Sequence, residues 1–109
     1  MVTAFREKSP CARTRALATL KLGELTKEKD KKRAVSLYNE ALAKYASLPF
    51  NPETNISVAQ EARSNLFEIE HLSLGMIAPS IVGEDASGHI MRLSDYRGKV
   101  VLLDFFGNW

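Results

Sequence analysis

Apolar residues return at three- and four-residue steps as far as about residue 72, and shorter alternating runs follow. The first helical pattern spans about Pro10 to Lys27. Cys11, Ala18, Leu22 and Leu25 fall on one face there, with Leu17 and Leu20 widening the stripe. The second is clearest: Ala34, Val35, Tyr38, Ala41, Leu42, Tyr45 and Leu48 recur across Lys31 to Ser47. It should pack antiparallel to the first. Leu48-Pro-Phe-Asn-Pro52 ends it, because proline cannot continue a helix and disfavours helical geometry in the residue before it. Asn55 or Ser57 offers a capping oxygen for a third helix, striped by Val58, Ala62, Leu66 and Ile69 and broadened by Ala59 and Phe67, which runs to about Leu72.

Beyond Ala78-Pro79 the period changes from helical to alternating. Ile81-Val82 gives a short strand, Glu84-Asp-Ala-Ser-Gly88 a turn with glycine free to take positive φ, and His89 to Leu93 the returning arm of a hairpin. Ser94-Asp-Tyr-Arg-Gly98 has the composition of one helical turn, with Ser94 as its capping hydroxyl. Lys99 to Phe106 is an apolar run of the kind buried on both faces of a parallel sheet. The expected class is α+β: three antiparallel helices, then a β-hairpin and the first central strand of a truncated α/β fold.

Charge and size narrow the partners. A net charge of +2 with 26% charged residues gives no reason to invoke nucleic acid or an anionic membrane surface. The basic run Lys27-Glu-Lys-Asp-Lys-Lys-Arg33 has no aromatic interleaving and reads as a solvated turn between helices. No apolar stretch approaches the roughly 20 residues of a membrane span, and Met1 to Pro10 lacks the apolar core of a signal peptide. One cysteine, Cys11, cannot form an intramolecular disulfide or a dithiol couple. It reads as a small apolar residue near a helix start.

Leu74-Gly-Met-Ile-Ala-Pro79, then Gly83-Glu-Asp-Ala-Ser-Gly88, then Leu93 through Trp109 resembles the opening of a redoxin domain of the thioredoxin-fold superfamily. That superfamily holds bacterial thiol-disulfide oxidoreductases and peroxiredoxins. The resemblance covers roughly residues 72 to 109, and it implies a boundary between a helical region, 1–72, and a redoxin-like region, 73–109. In the reductase branch the pattern continues Trp-Cys-x-x-Cys, and Phe105 to Trp109 is similar to the run-up to that motif. Phe106 departs from the pattern, since many relatives carry Trp there. The first two helices resemble a tetratricopeptide unit, through Leu22-Gly23 in one and Ala34, Tyr38 and Ala41 in the other, with a turn about one residue short. An ordinary helical hairpin would need the same small residues where backbones approach.

The resemblance implies that this chain is a fragment lacking the catalytic cysteines, which would lie beyond Trp109, and that it is inactive by itself. Phe105, Gly107, Asn108 and Trp109 would flank the dithiol, and Asp104 would support proton transfer beneath it or else pair with Lys99 or Arg97. His71 and His89 read as surface groups, Glu68 and Glu70 as the solvent face of the third helix, and Asn55-Ile-Ser57 as a capping region although it also spells a glycosylation sequon. No cofactor and no metal is expected. The whole protein would act on protein or small-molecule disulfides and thiols, with a protein partner on the helical region; the exported, periplasmic type is implied, though the compartment stays open. Two alternatives stand beside this one: a peroxiredoxin, or a tetratricopeptide-like interaction protein with a degenerate redoxin scaffold. Gly107-Asn108-Trp109 favours the reductase, because a peroxiredoxin would not be expected to place tryptophan there.

Overall fold

The computed structural model describes residues 1–107, and it divides into two compact units, Met1–Ile77 and Ala78–Trp109. The α+β expectation holds: helices come first and a hairpin follows. The first unit holds α1 (Val2–Lys8), α2 (Ala12–Thr26), α3 (Lys31–Tyr45), β1 (Pro49–Asn51), β2 (Ile56–Ser57) and α4 (Val58–His71).

The starts of α3 and α4 each have a local cause. Asp30 caps α3, its Oδ1 accepting from the Arg33 amide at 3.0 Å. Of the two caps expected for α4, Ser57 is the one used. Its hydroxyl accepts from the Gln60 amide at 3.2 Å while the Gln60 side chain accepts from the Ser57 amide at 2.8 Å, a reciprocal capping box. The amides of Val58 and Ala59, orphaned at the helix start, donate back to the carbonyls of Leu48 and Ala46.

Two elements escaped the sequence pattern. The helix α1 buries no residue of its own; it packs on α2 and sends Arg6 to the Glu40 carboxylate of α3. Val2 and Phe5, three apart, are too few apolar positions to signal a helix. The segment after Pro49 is more than a break, since β1 and β2 pair antiparallel around a turn in which Asn51 Oδ1 accepts from the Glu53 amide and Asn55 takes φ of 57°.

The core is a cluster of Ala16, Leu20, Ala34, Tyr38, Ala41, Val58, Ala62 and Ile69. Its alanines let α2, α3 and α4 approach closely around one large ring, Tyr38. Gly23 makes the closest approach: a Cβ there would lie 2.8 Å from Tyr38 Cζ and 2.9 Å from Cε1. This corrects the stripe expected on α2. Cys11 is exposed and Leu25 is 58% exposed, whereas Ala16, Ala18, Thr19, Leu20 and Gly23 are buried. The helix has neighbours on several sides, so its small residues, not its longest ones, meet them. Thr19 is accommodated because its hydroxyl donates to the Arg15 carbonyl at 2.8 Å. Phe67, expected to broaden the α4 stripe, is about half exposed and lies against the His71 ring.

The second unit is built on β3 (Val82–Glu84) and β4 (Ile90–Arg92), paired antiparallel with Gly83 opposite Met91. Their turn is set by Asp85, whose Oδ1 accepts from the Ser87 and His89 amides at 2.8 and 2.9 Å, and by Gly88 at φ 82°. A 3₁₀ turn follows at Leu93–Tyr96, begun by Arg92 without a side-chain cap; the Ser94 hydroxyl does not serve that purpose. Residues 99–106, expected as a central strand, form no ladder with any described residue. An apolar run becomes a strand only when another backbone accepts its hydrogen bonds.

Candidate functional site

The region expected to lead into a dithiol site lies in the second unit. Its side chains alternate over four positions only: Val101 and Leu103 are 42% and 47% exposed against 105% for Val100 and 94% for Leu102, and Phe105 and Phe106 are then both strongly exposed. Val101, Leu102 and Leu103 line a cleft of about 270 Å³ with Ile81, Met91, Leu93 and Tyr96. Residues 101–103 thus rest against the hairpin and turn, while the apolar side chains of Phe105 and Phe106 stand open.

Asp104 is exposed, and among the described residues it pairs with neither Arg97 nor Lys99. The ion pair expected as one alternative is therefore not formed, and the cost of burying a carboxylate does not arise here. Phe105 and Gly107 are exposed, while Asn108 and Trp109 lie outside the described residues.

The remaining candidates are dispersed. Cys11 stands at the N-cap of α2 as a free thiol, and the neighbouring Thr14 amide and hydroxyl, then the Arg13 amide, favour its thiolate and hold its pKa below the ordinary value. His71 and His89 are exposed; His89 Nδ1 lies 3.6 Å from Asp85 Oδ2 across the hairpin turn. Glu68 and Glu70 are on the solvent side of α4, where Glu68 takes a 2.9 Å ion pair from Lys27. Among the described residues no three His, Cys, Asp or Glu side chains gather at metal-binding spacing, and no helix is long and apolar enough to cross a membrane.

Sequence comparison finds partial relatives. The thiol-disulfide oxidoreductase ResA of Geobacillus kaustophilus strain HTA426 is 53% identical over 38 residues, 35% of this chain and 22% of that protein. The ResA proteins of Geobacillus thermodenitrificans strain NG80-2, 47% identical over 38 residues (35% of this chain), and of Bacillus subtilis strain 168, 48% identical over 40 (37% of this chain), carry the same name, thiol-disulfide oxidoreductase. The chain spans 22% of the length of each of these curated relatives. No family model and no solved structure matches.

Proposed function

We propose that residues 73–109 are the opening of a redoxin domain and that the protein to which they belong is a thiol-disulfide oxidoreductase. The observation that carries this reading is the 53% identity over 38 residues to a protein of that name. The hairpin, the 3₁₀ turn and the apolar run follow one another within residues 82–106, inside the segment whose motifs carry the resemblance. Residues 1–72 are read as a separate helical region of tetratricopeptide-like character, in which Gly23 receives the Tyr38 ring.

On this reading Phe105, Gly107, Asn108 and Trp109 lead into a Cys-x-x-Cys motif, and Asp104 lies close enough in sequence to assist a proton transfer beneath it. The first cysteine of such a motif sits at a helix N-terminus, where unpaired amides and the helix dipole favour its thiolate. That thiolate attacks a substrate disulfide, forming one S–S bond and releasing the other sulfur as a thiolate. The second cysteine then displaces the first from the mixed disulfide, leaving the substrate reduced and the enzyme oxidised. The 109 residues contain one cysteine, so they hold no dithiol to perform these steps.

Reading the gene past the codon for Trp109, and expressing the product, tests the proposal. A Cys-x-x-Cys followed by dithiol-dependent reduction of a model protein disulfide, abolished by replacing either cysteine with serine, is expected. A continuation without both cysteines, or turnover indifferent to them, would overturn it.

A further inference from the structure

The helix α1 is fastened to its unit differently from the others. It buries no residue, has no side-chain cap and no acidic residue in its first turn, and at seven residues is too short to persist alone in water. Packing on α2 holds it in part. Among the described residues its side chains make one hydrogen bond to the rest of the unit: Arg6 Nη2 donates to Glu40 Oε2 of α3, the two side chains being 25% and 22% exposed. Behind α1 the chain is pinned. The Arg15 guanidinium of α2 donates to the carbonyls of Ser9 and Pro10 at 2.6 and 3.1 Å, and Pro10 has a fixed φ, so the backbone from Ser9 onward stays with α2.

The Arg6–Glu40 contact is balanced between two states. Closed, it leaves Arg6 Nε buried without a hydrogen-bond partner, which is a standing cost. Opened, it orphans nothing: Arg6 regains water, and Glu40 keeps Lys44, whose ammonium donates to Oε1 at 3.0 Å from one turn along α3. Among the described residues no charged side chain of α2 or α4 pairs with Glu40, since Lys21 and Lys27 go to Glu24 and Glu68 and the Arg13 guanidinium to the carbonyls of Pro49 and Phe50. Burial pushes the Glu40 carboxyl up, but the hydrogen bonds from Arg6 and Lys44 outweigh it and hold the group below its ordinary value. The stabilisation is therefore complete above the ordinary glutamate pKa of about 4.3 and is lost as pH falls below it.

We propose that α1 is a strap, hinged at Lys8–Ser9 and closed by the Arg6–Glu40 pair, which opens while α2, α3 and α4 stay folded. Lys44 is what makes opening possible, because it holds the carboxylate when Arg6 leaves. Opening frees residues 1–8 and uncovers the side of α2 on which they pack. Acid and high salt both favour it, since one neutralises Glu40 and the other screens the pair. The device is independent of the redoxin reading, because no residue of 73–109 takes part.

Hydrogen–deuterium exchange of the full 109-residue chain, read by mass spectrometry on peptides covering residues 2–9 and corrected for the intrinsic rate at each pH, tests this. In wild type α1 should be protected, yet exchange faster than α3 and α4. Glu40→Gln should speed that exchange roughly fivefold, as for loss of a part-exposed ion pair, and leave α3 and α4 unchanged. Salt of about 1 M or a pH of about 3.5 should speed α1 exchange in wild type and not in the variant. Lys44→Gln should slow it, because opening then strands the Glu40 carboxylate, whereas a merely structural network would loosen with either substitution. An α1 unprotected in wild type or exchanging only together with α3 and α4, equal rates in wild type and Glu40→Gln, or faster exchange in Lys44→Gln would overturn the proposal.

Discussion

Replacing Gly23 with alanine sets two physical effects of opposite sign against each other. In an exposed helix interior the change stabilises, since alanine exceeds glycine in helix propensity by about 0.8–1.0 kcal/mol. Here the new Cβ would stand 2.8, 2.9 and 3.2 Å from three carbons of the Tyr38 ring. The ring is fully buried and its hydroxyl is held by Asn65, so it cannot swing aside without leaving Asn65 Oδ1 unpaired. Overpacking of this kind costs about 1–3 kcal/mol. The expected net effect is a loss of about 1 kcal/mol, which lowers the melting temperature by roughly 4–8 °C in a domain of this size. Thermal unfolding followed by far-UV circular dichroism reads the difference directly. In a Tyr38→Leu background the clash is removed and Gly23→Ala should turn neutral or stabilising. A Gly23→Ala variant that melts higher than wild type would refute the close packing of α2 on α3.

Ser57→Ala removes the cap and half of the capping box of α4, and should cost about 1 kcal/mol by urea unfolding. Tyr38 supplies an alkaline prediction. Its folded pKa, near 12, lies above the value of about 10 for an unfolded tyrosine, so its contribution is intact below pH 10 and is lost as pH rises from about 10 to 12. Absorbance titration should show one late-ionising phenol that Tyr38→Phe eliminates. Deleting residues 99–109 removes Val100, Leu102, Phe105 and Phe106, all strongly exposed, and should raise solubility and shift light scattering towards monomer. An equally aggregated shortened chain would show that the association arises elsewhere.

The parts of the fold legible in the sequence are those governed by local rules. The stripe Ala34, Tyr38, Ala41 and the Ser57 cap follow from helical spacing and hydrogen-bonding chemistry within a few residues, and both are present. The hairpin centred on Asp85 to Gly88 was readable for the same reason. What escaped depends on neighbours distant in sequence. The buried face of α2 is chosen by which residues let other helices approach, and α1 is held by Arg6 reaching 34 positions away to Glu40. The apolar run at 99–106 carried a clear strand signal, yet a strand is a relation between two backbones and its own residues supply only one. At the candidate site, the sequence identified the order of residues, whereas Asp104's exposure could not be inferred from its apolar neighbours alone.

The helical unit joins mainly elements adjacent in the chain: α1 with α2, α2 with α3, α3 with α4, and β1 with β2. Such short-range wiring makes loop closure inexpensive in entropy and favours rapid folding. A polypeptide emerging from the ribosome can therefore assemble residues 1–77 step by step, each helix finding the one made just before it. Synthesis then continues with this unit already packed, so the apolar residues of Val100 to Phe106 emerge after the helical core has closed over its own.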